Sequence, residues 1–207
     1  MPANYDNSAS FYDRLSRLFF GKALINAQVY LLPHIPQNST ILIVGGGTGW
    51  ILEEISKIHP SGLSITYVEV SANMMALSRK RNIGGNNVIY INQAVEQAHL
   101  VQVFDVVITP FLFDNFTEAN LLLIFTHIHQ TLKPGGLWLN TDFQLTGKWW
   151  QYAMLKSMLL FFKILCGVES WHLPDVAREF NATGYKVLEE KNFSGDFVVT
   201  KVCKKLI

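Results

Sequence analysis

The sequence predicts an α/β domain built on a doubly wound, seven-stranded and mostly parallel sheet whose last strand is antiparallel. Three observations predict it. Short β-branched runs alternate with helical stretches from residue 40 to 143. The first run, in "ILIVGGGTGWIL" (41–52), enters a glycine cluster with no polar interruption, as suits a strand buried on both faces. The chain closes on two strand-like runs joined by "SGD", a hairpin that places an antiparallel strand at the sheet.

Each element has its own signal. Residues 8–20 place Phe11, Leu15, Leu18 and Phe19 near helical spacing, and 22–33 read as a second helix ending before Pro33. "PHIPQNS" is a loop, and 40–45 form the first strand. Residues 50–58 fit a helix, 63–69 a strand, and 71–82 a helix with Ser71 as its N-cap. Strands follow at 87–92 and 104–110, then a helix at 117–132, a "KPGG" turn and a fifth strand at 137–143. An apolar helix at about 148–166 and a short one at about 173–183 lead to strands 185–193 and 197–205.

Composition narrows the classes. The 207 residues are 49% hydrophobic and 13% aromatic with a formal net charge of +1, which is globular and offers no basic surface for nucleic acid. The length argues for one domain. Its parts read as a helical cap (1–36), a core (37–143), an apolar lid and helix (144–183) and closing strands (184–207). Cys166 and Cys203 make neither a disulfide framework nor a metal site, and they suit a reducing, cytoplasmic location. The N-terminus lacks the pattern of a signal peptide. His127 and His129 lie two apart on a helix and share no face, so no metal is expected.

The glycine cluster carries the chemistry. Glycine after a first strand lets the backbone turn sharply and a ligand touch it, while the following helix presents amides and a positive end. A tight strand-to-helix connection alone needs the same residues. A dinucleotide fingerprint wants a glycine at the sixth position, but Trp50 stands there counting from Gly45 and Leu52 counting from Gly47. This disfavours a nicotinamide oxidoreductase. The spacing Gly45-x-Gly47-x-Gly49 resembles the first motif of class I S-adenosylmethionine-dependent methyltransferases. Glu69 ends the second strand 20 positions after Gly49, and "YINQAVEQAHL", "FDVVITPFLFDNF" and "LKPGGLWLNTDF" follow in the family's order.

The resemblance implies a Rossmann-like fold, S-adenosyl-L-methionine as cofactor and methyl transfer to a small, hydrophobic or aromatic acceptor. It places Gly45, Gly46, Gly47, Thr48 and Gly49 under the cofactor's amino-acid end. Glu69 and Val70 fall at the ribose, Gln93, Ala94 and Val95 at the adenine, and Thr109 beside them. Two positions depart from the family. Ile43 replaces the acid that precedes the first glycine, and Gln93 replaces an adenine-gripping Asp. The first departure supports a rival reading, a cofactor-binding module without turnover. "TPFL" at 109–112 lacks the second proline of the tetrapeptide found in methyltransferases acting on nucleic-acid and protein amides.

The N-terminal "YDNSASFYDRL" resembles a segment that folds over the cofactor in several small-molecule methyltransferases, the ubiquinone/menaquinone C-methyltransferase group and phospholipid N-methyltransferases among them, which makes Tyr5 and Tyr12 site candidates. Tyr12 reads equally well as a helix-packing aromatic. For proton transfer the candidates are Asp114 after strand four, Asp142 at the end of strand five, His172 and Tyr12, since ligands sit at the carboxyl ends of strands. Residues 148–168 approach bilayer-spanning length, but Gln151, Lys156, Ser157 and Lys163 interrupt them. They read as a helix buried on the sheet, a lid, a dimer face or a membrane-surface contact. Expected partners are a small molecule and no nucleic acid, in a monomer or homodimer.

Overall fold

In the computed structural model the described residues are 6, 22–101, 103–166 and 172–206. The predicted helix at 8–20, with Tyr5 and Tyr12, lies outside them. The strands are β1 (Thr40–Val44), β2 (Ser61–Val68), β3 (Gly85–Ile91), β4 (Phe104–Pro110), β5 (Leu132–Phe143), β6 (Tyr185–Phe193) and β7 (Val198–Lys205). They form one seven-stranded sheet in the order β3-β2-β1-β4-β5-β7-β6. The first five are parallel, and β7 runs antiparallel to both β5 and β6. The helices are α1 (Ala23–Val29), α2 (Trp50–Ile58), α3 (Ala72–Ser78), α4 (Glu118–Thr131), α5 (Trp149–Cys166) and α6 (Val176–Ala182).

β1 explains its own sequence. Leu42 and Val44 enter a core shared with Phe113, Phe125 and Trp138. Ile41 and Ile43 enter a second core shared with Leu52, Ile55 and Tyr67. A strand covered on both faces has no place for polar alternation. Because β1 lies between β2 and β4, the strand order reverses beside it, and a crevice opens at the carboxyl ends of β1 and β4. Asp105 fastens the opposite end of these strands. One carboxylate oxygen accepts from the Thr40 amide (2.8 Å) and hydroxyl (2.7 Å), and the other from Lys133 (2.8 Å).

Several elements differ from expectation; the helix expected at 71–82 spans only Ala72–Ser78, and the one expected at about 173–183 begins at Val176. The helix expected at 22–33 ends at Val29, and a 3₁₀ turn follows over Leu32–His34. Pro33 is tolerated there because the first turn of a helix needs no donor from it. The "KPGG" turn interrupts β5 without ending it. Leu132 pairs with Phe104, pairing resumes at Leu137 opposite Val106, and the residues between bulge out of the ladder.

α5 buries Gln151, Leu155 and Leu159, four residues apart; the two leucines pack with Phe143, Phe197 and Val198, while the Gln151 amide donates to the Gly195 carbonyl at 3.2 Å. Its start is pinned to the β6–β7 turn, where Lys148 reaches Asp196 (2.8 Å) and the Gly195 carbonyl (3.1 Å). Among the described residues no helix is long and apolar enough to cross a membrane.

Candidate functional site

The turn after β1 is held from below. Gly45, Gly47 and Gly49 all have positive φ (70°, 62° and 77°). Gly46 is glycine for a different reason, because a Cβ there would lie 2.5 Å from the Tyr67 ring. Tyr67 is fully buried, and its hydroxyl donates to the Gly47 carbonyl at 2.9 Å. Thr48 is buried, and its carbonyl accepts from Arg81 Nε at 2.9 Å. A Cβ on Gly47 would meet only Met74 Sδ, at 3.7 Å, so this side of the turn stays open. α2 begins at Trp50 with no side-chain cap, so no side chain of its own caps its first amides.

Glu69 stands at the tip of β2 with only 5% of its surface exposed. One carboxylate oxygen accepts from the Gly47 amide (3.0 Å), the other from the Ser71 amide (2.9 Å). Burial raises its pKa above the ordinary carboxylate range, against the pull of those amides, and the nearby Asp6 charge adds to the rise. Each oxygen keeps a lone pair for a further donor.

Ser71 caps α3 by accepting from the Met74 amide (3.1 Å), while its hydroxyl donates to Asp6 (2.6 Å). Asn73 also donates to Asp6, through its amide (3.0 Å) and its side chain (3.1 Å). Residue 6 is thus docked beside Glu69. Asn92 ties the tips of β2 and β3, donating to the carbonyls of Glu69 (2.8 Å) and Val70 (3.0 Å).

The other sequence candidates separate. Val70 and Gln93 are exposed. Ala94 and Val95 are buried, and Val95 opens a 3₁₀ turn and packs into the core with Val68 and Leu112. Thr109 is fully buried, donating to Asn140 (2.8 Å) and accepting from the Trp138 indole (2.8 Å). His172 is exposed on the segment before α6.

Asp114 and Asp142 come together. With Pro110 opposite Thr141, the register carries Asp142 under the turn that follows β4. Its carboxylate accepts from the amides of Phe113 (3.1 Å) and Phe143 (2.9 Å). Asp114 lies in that turn and accepts from the Asn115 side chain at 2.7 Å. Burial pushes both carboxyls up, and Asp142's charge pushes Asp114 further. The charge of each carboxylate disfavours ionisation of the other, so the pair gives up its protons at higher pH than exposed aspartates do. Phe111, just before, takes a left-handed φ of 51° and packs on Phe143 with ring centroids 4.9 Å apart. The turn also abuts the glycines, since a Cβ on Gly45 would be 3.0 Å from Leu112.

Sequence reasoning missed Asp6, Tyr67, Arg81 and Asn92. Only Asp6 left a signal, since it lies inside the quoted "YDNSASFYDRL". Among the described residues no group of three or more His, Cys, Asp or Glu side chains is placed to hold a metal.

The strand order and the glycine turn after β1 are those of the class I S-adenosylmethionine-dependent methyltransferase fold. Residues 41–136 match the methyltransferase domain family. The ubiquinone/menaquinone biosynthesis C-methyltransferase of Wigglesworthia glossinidia brevipalpis is 33% identical over 146 residues, covering 67% of this chain and 57% of that protein. A malonyl-[acyl-carrier protein] O-methyltransferase of Anoxybacillus flavithermus is 26% identical over 117 residues, covering 56% of this chain and 43% of that protein. The chain therefore spans about half the length of the curated relatives it matches. Among solved structures, the 1,6-didemethyltoxoflavin-N1-methyltransferase of Burkholderia thailandensis, bound to 1,6-didemethyltoxoflavin and S-adenosylhomocysteine, superposes with a TM-score of 0.68 at 13% identity. The superposition covers 97% of this chain and 85% of that one.

Proposed function

We propose that the chain transfers the methyl group of S-adenosylmethionine to a small hydrophobic or aromatic acceptor. The observation that carries this reading is the open glycine turn facing a buried carboxylate, Glu69, at the tip of the neighbouring strand. These residues fit the cofactor: Gly47 leaves room for close approach, the α2 amides suit a carboxylate, and Glu69 accepts from ribose hydroxyls. When bound, S-adenosylmethionine supplies a methyl group already activated on sulfur. The chain's part is to align the acceptor and exclude water. Phe111, Phe143, Leu145, Met154 and Met158 cluster between the strand ends and α5, and this apolar wall supports an apolar acceptor and a lid role for α5. Where the acceptor must lose a proton, the Asp114–Asp142 pair takes it.

Heating the protein with each ligand tests the cofactor. S-adenosylhomocysteine at about 100 times its Kd adds about 2.7 kcal/mol and raises the Tm, whereas NAD leaves it unchanged. Stabilisation by NAD alone would overturn the reading. One observation favours a second reading, a module that binds without turnover. Ile43, at the family's acidic position, is wholly buried in apolar core and offers the cofactor no polar contact. Single-turnover assays with quinone-like, phenolic and acyl-carboxylate acceptors separate the two, since the module would bind cofactor and consume none.

The carboxyl pair gives a stability signature. Its raised pKa values mean that the folded state holds protons the unfolded chain has released, from about pH 4 upward through neutrality. Stability therefore falls as pH rises through that window. Asp114→Asn flattens the fall. Urea unfolding across the window checks this, and an unchanged slope would show that the pair does not titrate together.

A further inference from the structure

We propose that the outward face of α5 docks on an anionic phospholipid surface. Along one stripe of this helix stand Trp149, Tyr152, Lys156, Leu160 and Lys163, spaced three, four, four and three residues apart. Trp149 is 81% exposed, Leu160 49% and Tyr152 48%, while the stripe of Gln151, Leu155 and Leu159, about a quarter-turn round the helix, is buried. Burying the apolar stripe against the protein leaves these rings to face water, which favours a second apolar medium.

Charge selects the occupant. α5 contains no Asp or Glu, and its exposed stripe carries two lysines. A second copy of the chain docking by this face would bring lysine towards lysine across a two-fold axis. A bilayer containing anionic lipid meets every part of the stripe. Leu160 enters the acyl boundary, the Trp149 and Tyr152 rings lie at headgroup level, and the lysine stems run along apolar surface with their ammonium groups at the phosphates. The inner face of the same helix rests on Phe143 at the end of β5, so docking holds the crevice mouth beside the membrane.

Co-sedimentation of the full chain with vesicles tests this. The fraction bound to phosphatidylcholine–phosphatidylglycerol vesicles should exceed that on phosphatidylcholine alone by about tenfold or more, the scale of two lysines at an anionic leaflet. Trp149→Ser with Leu160→Ser should abolish binding. So should Lys156→Glu with Lys163→Glu, while circular dichroism and S-adenosylhomocysteine affinity stay those of the parent. Absent binding, binding indifferent to lipid charge or to both variants, or light scattering showing a dimer that the same substitutions dissolve would each overturn the proposal. The assay uses neither cofactor nor acceptor, so its failure leaves the methyl-transfer reading standing.

Discussion

Gly49→Ala should cost the protein roughly 2–5 kcal/mol of stability. Two effects add. A non-glycine residue at φ +77° suffers a left-handed clash of about 1–2 kcal/mol. The new Cβ would also stand 2.5 Å from Ser78 Cβ and 2.7 Å from Ser78 Cα. The second contact is with backbone in the last turn of α3, which cannot rotate away, so the helix and the turn must part at a cost of roughly 1–3 kcal/mol. Against a typical domain stability of about 5–15 kcal/mol, this leaves a marginal fold. Gly47→Ala is the internal control. Its φ is also positive, but its Cβ would meet nothing closer than 3.7 Å, so only the conformational part applies. Urea unfolding should rank Gly49→Ala far below Gly47→Ala, and calorimetry should find Gly47→Ala folded yet impaired in binding S-adenosylhomocysteine. Equal stability for the two variants would mean that α3 does not press on the turn.

How much of this was legible follows from the range of each interaction. β1 showed itself because burial on both faces leaves a local mark, an unbroken apolar run. Glu69 showed itself because a strand tip has a fixed distance in sequence from the preceding turn. Tyr67 hid in plain view, since strand periodicity puts its ring on one face of the sheet but does not say that its hydroxyl ends beneath Gly47. Asn92 and Asp6 act on carbonyls and amides more than 20 residues away in the chain, and their own neighbours in sequence carry no trace of those partners. The Asp114–Asp142 pair depends on the β4–β5 register, which the four-residue excursion after Leu132 resets. Sequence named both residues but could not say that they meet. Thr109 stands at a family position, yet its hydroxyl is wholly engaged with Trp138 and Asn140, two residues supplied by the neighbouring strand.

Glu69→Gln should weaken S-adenosylhomocysteine binding by about tenfold or more, and Glu69→Ala by about a hundredfold, on the scale of a lost charged acceptor. The carboxylate has two duties. Its oxygens hold the amides of Gly47 and Ser71, and a carboxylate has lone pairs left over for further donors. Glutamine keeps one acceptor oxygen and turns an NH2 donor towards the second amide, so the loop and the ribose site are both disturbed. Alanine removes both acceptors and leaves two amides unpaired. The pH dependence sharpens the test. Burial and the Asp6 charge hold the Glu69 pKa above the ordinary carboxylate range, and only its ionised form accepts from two hydroxyls at once. Affinity in the parent protein should therefore fall as pH drops through that raised pKa, starting nearer neutrality than an exposed glutamate would allow. Asp6→Asn, which removes the neighbouring charge, should move the onset to lower pH. In Glu69→Gln the dependence should vanish, because nothing at that position titrates. Isothermal calorimetry from neutral into acid reads all three, and a parent affinity that follows the same pH course as Glu69→Gln would place the sugar somewhere other than Glu69.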